Sequence, residues 1–268
     1  MIWPAEDLWL AMVARQPGLT VEVLPEIDST NTELMRRARA GQTEPVLLVA
    51  ETQTAGRGRL GRQWHGKAGH SLMFSLGMML KPADWSGLSL AVGLSLARSL
   101  DPQGELGVRL KWPNDLWVQR PNAPTGWGKL AGILIETALP MGLIYGCDQG
   151  RYCVVGVGIN IAPPVAEGLS TAPLGLQDLQ NGITAPMVLL KVAEPLLATL
   201  LAFERTGFVP LQNAFNARDA LHNLPVTLSD GRQGVARGVD ATGALLVDTE
   251  QGQEAISSSE VSVRPVST

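Results

Sequence analysis

The chain has 268 residues, 45% hydrophobic and 17% charged, with a formal net charge of −4. That length holds one large domain and a small one around a sizeable core, and the composition excludes a disordered chain. The acidic balance argues against broad attachment to nucleic acid, although a local basic patch still acts within a Debye length of about 10 Å.

The first segment, "MIWPAEDLWLAMVARQ", carries Glu6 and Asp7 where a secretory signal has basic residues, and no small-residue cleavage site follows. A cytoplasmic location is expected. No membrane attachment is expected either, because Gly, Pro or Arg interrupts the apolar stretches before the roughly eighteen residues that a span needs. Cys147 and Cys153 are too few for a disulfide framework and lack His at metal-ligand spacing, so both read as reduced thiols and no protein metal site is predicted.

"LTVEVLPEI" alternates with period two and predicts a strand. "TNTELMRRARAG" predicts a helix: Thr30 and Glu33 have capping-box spacing, Leu34, Met35 and Ala38 form an apolar stripe, and Gly41 supplies the stop. "PVLLVAETQ" and "SLMFSLGMML" read as strands on either side of "TAGRGRLGRQW", and "SGLSLAVGLSLARSL" reads as a buried helix. Four strand-like runs follow, "GVRLKWP", "LWVQ", "LAGILIE" and "RYCVVGVGINI". Consecutive strands with short connections favour an antiparallel or mixed sheet, so the predicted class is α+β, with helices flanking that sheet. Residues 186 to 208 read as helix, with Pro195 either kinking it or starting a second one, and "PLQNAFNARDAL" as a short helix. Beyond residue 222 the texture becomes that of roughly five short strands between "SDG", "ATG" and "EQGQ" turns. The expected domains are therefore 1–221 and a small β domain, 222–268.

Chemistry concentrates in a few places. In "TAGRGRLGRQW", Gly56 and Gly58 let backbone N–H groups approach an anion, while Arg57, Arg59 and Arg62 offer planar forks for phosphate or carboxylate. No G-K-[ST] follows, which disfavours a Walker loop. Trp64 offers a flat apolar wall or packs the loop on the core, and His65 and His70 read as structural. In "KWPND", Lys111 and Asp115 flank apolar runs and need partners if buried, whereas Asn114 reads as a turn residue. Lys129 leads "KLAGILIE" out of a flexible loop, and Glu136 ends it. The glycines of "VVGVGIN" mark either a close approach or a bend in a sheet. In "DSTN", capping accounts for Thr30 and leaves Ser29 and Asn31, with Gln53, to read neutral polar groups.

Taken in order, "DSTN", "ETQTAGRGRLGRQW", "KWPND", "KLAGILIE" and "VVGVGIN" resemble the biotin protein ligases over roughly residues 22 to 160, and the small β region is similar to their C-terminal SH3-like domain. The resemblance implies a class II synthetase-like catalytic domain that uses biotin, ATP and Mg²⁺. Biotinyl-5′-AMP forms first, and biotin then passes to a lysine of a carrier such as the biotin carboxyl carrier protein of acetyl-CoA carboxylase. It implies Arg59, Lys129 and Asp115 as the catalytic residues. Ser29, Thr30, Asn31 and Gln53 are implied for biotin, Arg57 with Arg59 and Lys129 for the charge that builds on the α-phosphate, and Gly56, Gly58 and Trp64 for the loop and the adenine side. Gly132, Gly158 and Asn160 complete the implied binding set. Some family members carry an N-terminal winged helix-turn-helix; only some twenty residues precede the pattern here, so no DNA binding is expected, while a homodimer is compatible. A lipoate–protein ligase is the alternative reading.

Overall fold

The computed structural model describes residues 1–120, 126–139, 150–164, 172–257 and 263–265. Cys147 and most of the loop between the second and third of the four strand-like runs lie outside them. The chain starts with helix α1 (Ala5–Val13), strand β1 (Thr20–Ile27), helix α2 (Thr30–Arg39) and strand β2 (Val46–Gln53). Strand β3 (Ser71–Leu80) and helix α3 (Leu88–Leu100) follow, then β4 (Val108–Lys111), β5 (Asp115–Gln119), β6 (Trp127–Ala138), β7 (Arg151–Asn160) and the short β8 (Ala172–Pro173). The strands form one mixed sheet in the order β1-β2-β3-β7-β6-β5-β4, with β8 beside β6. Among the described strand pairs of this sheet, only β1–β2 and β6–β8 are parallel, and α2 is the crossover that the β1–β2 connection requires.

The two faces of this sheet are covered differently, and that difference makes the site. On one face, Leu72, Phe74 and Leu76 of β3, Ile133 of β6, and Cys153, Val155 and Val157 of β7 join the main core. Helix α3 and the long helix α4 (Ala185–Thr206) supply the covering layer. On the other face, α2 covers one end only, packing Leu34, Met35 and Ala38 against Val46, Leu48, Tyr152 and Val154. Along β7 the residues on that face run Tyr152, Val154, Gly156, Gly158, large where the helix lies and glycine where it stops. The uncovered part of the face is the cleft described below.

Helix α4 is continuous, with Pro195 inside it. Its mean hydropathy of 1.7 over an 18-residue window makes it long and apolar enough to cross a membrane, which corrects the sequence expectation of interrupted runs. Here it is a core helix: Val188, Leu189, Val192, Leu196 and Leu200 are all fully buried. Helix α1 has no counterpart among the sequence-based elements; its first-turn Glu6 and Asp7 suit a helix N-terminus, but Pro4 provides no side-chain cap.

After the short helix α5 (Gln212–Asn216), strands β9 (Pro225–Leu228), β10 (Gln233–Val239), β11 (Leu245–Thr249), β12 (Gly252–Ile256) and β13 (Val263–Pro265) build a second, antiparallel sheet. The link into it pairs with β4: Leu110 N–H donates to Arg218 O and Ala220 N–H to Leu110 O, both at 2.8 Å. Trp112, fully buried, donates its indole N–H to Gly243 O at 3.1 Å, so the turn that carries the "KWPND" residues is held by the second sheet. The Trp112–Pro113 peptide bond is cis.

Candidate active site

A cleft of about 140 Å³ opens on the half-covered face, with α2's first turn at one end and the β4–β5 turn at the other. The sequence after β1 folds so that Ser29, not Thr30, caps α2: its hydroxyl accepts the Thr32 N–H at 3.4 Å. This corrects the assignment of the cap and frees Thr30. Thr30 N–H and hydroxyl donate to Gln53 Oε1 at 2.7 and 3.2 Å. The Ser75 hydroxyl, fully buried, lies 2.7 Å from Thr30 Oγ1 and 2.6 Å from Asn31 Oδ1. The Asn31 amide donates to Leu134 O at 3.1 Å and to Glu136 Oε2 at 3.0 Å. Ser29, Thr30, Asn31 and Gln53 thus converge at the cleft's uncharged end, each fixed by a partner before any ligand arrives.

The arginine loop is a miniature hairpin, with Arg57 bridged to Gln63, Gly58 N–H donating to Arg62 O at 2.7 Å, and a 3₁₀ turn over Arg59–Gly61. Gly56 stands at its neck, where a Cβ would lie 2.5 Å from Trp64 O, so it admits the returning strand and does not line the cleft. Arg57 is bound to Glu136 at 3.0 Å. Arg59 reaches across the cleft toward Asn114 Oδ1 at 3.4 Å, and its burial weakens its hold on the proton. Asn114, read from sequence as a turn residue, also donates to Ile133 O at 2.9 Å and so ties the turn to β6.

At the charged end Lys129 Nζ lies 2.8 Å from Asp115 Oδ1 and 5.8 Å from the centre of the Trp64 ring. Lys111, directly across the β4–β5 pairing from Asp115, lines the same cleft and is 8% exposed. Its Nζ sits over the Trp117 ring at 5.6 Å, and burial pushes its pKa down to about 8. Asn160 is not among the residues that line the cleft; its amide donates to Lys129 O at 3.1 Å and so holds the strand that carries Lys129.

Gly132 and Gly158 have a physical cause that their spacing alone left open. A Cβ on Gly158 would lie 2.3 Å from Trp64 Cε2, and one on Gly132 would lie 3.1 Å from Trp64 Cζ3: the two glycines make the floor on which the indole lies. Gly156 does the same for Asn31, whose Oδ1 would be 2.0 Å from an added Cβ. Gly158→Ala is therefore expected to lift Trp64 and destabilise the fold by about 1–3 kcal/mol, the usual cost of overpacking, measured by chemical denaturation. An unchanged midpoint would mean that the ring is not held there. The Trp64 Nε1–H is buried with no partner among the described residues, a donor left for something else in the cleft.

Ser75, Glu136, Asn114 and Lys111 join the residues expected from sequence. Of these, only Lys111 carried a sequence signal, a charged group beside apolar runs; the other three depend on partners far along the chain. Among the described residues no cluster of three or more His, Cys, Asp and Glu stands together.

Residues 23–160 match the model of the biotin/lipoate A/B protein ligase family, and residues 225–264 match the biotin protein ligase C-terminal domain. The chain is 35% identical over 240 residues to the bifunctional ligase/repressor BirA of Escherichia coli, covering 87% of this chain and 70% of that one. It is 32% identical to the biotin–[acetyl-CoA-carboxylase] ligase of Mycobacterium tuberculosis, covering 90% and 88% of the two chains. Among solved structures it is similar to the biotin protein ligase from Aquifex aeolicus in complex with biotin and ATP, with a TM-score of 0.74 and 28% identity over 92% of this chain and 99% of that one.

Proposed function

The chain belongs to the biotin/lipoate A/B protein ligase family, and from that membership we propose how its cleft carries out the ATP-dependent biotinylation of a protein. Its reaction is biotin–protein ligation. The observation that supports the residue roles best is the polarity of the cleft. Neutral groups pinned around Thr30 and Gln53 lie at one end, and Arg59, Lys129 and Lys111 surround the Asp115 carboxylate at the other. A ligand with a neutral ureido ring and an acid terminus fits that order.

In the first half-reaction the biotin carboxylate attacks the α-phosphorus of ATP, the bond to pyrophosphate breaks, and biotinyl-5′-AMP forms. Negative charge builds on the α-phosphoryl oxygens. Arg59 and Lys129 are aimed at it from opposite walls, the pre-set electrostatic stabilisation that lowers such a barrier most. Magnesium enters as part of the ATP substrate. Trp64, fixed by Gly158 and Gly132, supplies the flat surface for the adenine side. The arginine hairpin, tethered by Arg57–Glu136, covers the product and keeps water from the mixed anhydride.

In the second half-reaction a lysine amine of the protein substrate attacks the biotinyl carbonyl carbon and AMP leaves. A free lysine has a pKa of about 10.4, so roughly one amine in a few thousand is neutral at pH 7. In this reading Asp115 receives the ammonium and draws off its proton, while Lys129, its partner at 2.8 Å, holds the acyl-phosphate oxygen. The acceptor is the biotin carboxyl carrier of a carboxylase, by analogy with the acetyl-CoA-carboxylase ligases. A boundary at residue 222 between the catalytic and C-terminal domains and a cytoplasmic location complete the proposal; the separate sheet that starts at Pro225 supports the first.

Purified protein given biotin, MgATP and a biotin carboxyl carrier domain should release pyrophosphate and add the mass of biotin to the carrier lysine. Neither product with biotin, but both with lipoate, would move the reading to the other branch of the family. Arg59→Gly is expected to release biotinyl-5′-AMP about 10- to 100-fold faster, since a hydrogen bond to a charged group is worth about 1.5–3 kcal/mol. Biotin should then appear on bystander proteins in a mixture; no rise in that labelling would remove Arg59 from the retention of the adenylate.

A further inference from the structure

Lys111 lines the cleft, and the reaction scheme above gives its ammonium no chemical task. It is 8% exposed, borders the cleft, and has no hydrogen bond or salt bridge to its Nζ among the described residues. Its strand partner Asp115 is already committed to Lys129 at 2.8 Å, just as Glu136 is committed to Arg57 at 3.0 Å. The charged groups acting on Lys111 are Asp115 from β5, Lys129 from β6, and Arg59 and Arg62 from the arginine hairpin. Three cations and a shared carboxylate therefore face a fourth cation in a partly dry pocket. The apolar contact on its other side is the face of Trp117.

We propose that Lys111 is the proton-linked cation of this cleft: it takes up a proton as the anionic biotinyl adenylate arrives, and the charge so formed holds the phosphoryl group. The proposal rests on the ligase reading above and adds to it a residue and a thermodynamic signature. Without ligand, burial and the neighbouring cations disfavour the ammonium, leaving a pKa of about 8. A phosphodiester anion beside it reverses the balance and raises that value. The sign follows from linkage. Below about pH 7 Lys111 is charged with or without ligand, and affinity is flat. As pH rises through about 8, the free protein loses the proton first, so binding takes one up and affinity falls by up to about tenfold per pH unit. Arginine at this position stays protonated throughout.

The test is titration calorimetry of the full chain at pH 8 with biotinol-5′-AMP, a phosphodiester that lacks the reactive carbonyl, in buffers of small and large ionisation enthalpy. Uptake of about half a proton per ligand is expected, the unprotonated fraction at a pH equal to the pKa. Neutral biotinol should show none. Lys111→Met should lose the uptake and bind the phosphodiester at least tenfold more weakly at pH 7. Lys111→Arg should lose the uptake while keeping an affinity within tenfold of wild type and flat from pH 7 to 9. Equal uptake in wild type and Lys111→Arg, or tight binding of the phosphodiester without uptake in the wild type, would overturn the proposal. If neither biotin nor the phosphodiester bound the wild type at all, the ligase reading itself would fall, and this proposal with it.

Discussion

Lys129→Met should lower the rate of adenylation by about 10²- to 10³-fold, the loss seen when one pre-aimed donor to a developing oxyanion is removed. Methionine keeps most of the stem's volume, so the change is one of charge. Two consequences follow from the geometry. The ammonium lies 2.8 Å from Asp115 and over the Trp64 ring at 5.8 Å, so its removal also strips the counter-charge from a carboxylate that is 14% exposed. Asp115 then faces Arg59 and Lys111 alone. Lys129→Arg should recover only part of the rate, because a planar fork cannot occupy the position of a compact ammonium that serves a carboxylate and a ring at once. Pre-steady-state pyrophosphate release at saturating biotin and ATP separates this effect from one on binding. A rate within threefold of wild type would remove Lys129 from the chemistry and leave it only its ion pair.

Sequence pattern reached the fold where burial is one-sided or complete over a whole element. The apolar runs of β2 and β3 and the period of α3 were readable because each side chain's environment is set by its own element's position. Helix α4 shows where pattern stops. Proline within a helix removes a hydrogen bond and crowds the preceding turn, and sequence cannot say whether packing will outweigh that. Here it does, since Val192, Leu196 and Leu197 are fully buried around Pro195.

The site divides in the same way. The arginine loop and Lys129 declared themselves by charge on flexible backbone. The roles of the glycines did not, because a glycine records only that something is close. Gly158 is shaped by Trp64 and Gly156 by Asn31, both from distant parts of the chain. Glu136, at the end of a strand-like run, becomes legible only once β6 and α2 are side by side: one carboxylate then holds both Asn31 of the neutral end and Arg57 of the arginine loop. The neutral end of the cleft and the arginine hairpin are therefore joined by a single acidic side chain that sequence marked merely as a terminus.

Asp115→Asn should divide the two half-reactions. The amide preserves the shape of the side chain and still accepts a hydrogen bond from Lys129, so adenylation is expected to stay within about tenfold of wild type. It cannot take a proton from an incoming ammonium. Transfer from preformed biotinyl-5′-AMP to the carrier lysine should therefore fall by about 10²-fold, the lower end of what a positioned general base contributes. Raising the pH increases the free-amine fraction of a lysine of pKa about 10.4 by close to tenfold per unit, so the variant's transfer rate should climb along that slope from pH 7 to 9. In the wild type the climb should be shallower, since Asp115 already assists. A single-turnover assay with purified adenylate reads both the rate and the slope. Equal transfer rates in variant and wild type would leave Asp115 one task, to hold Lys129 at 2.8 Å. In that case adenylation, where Lys129 meets the phosphoryl charge, is the step that the substitution should slow.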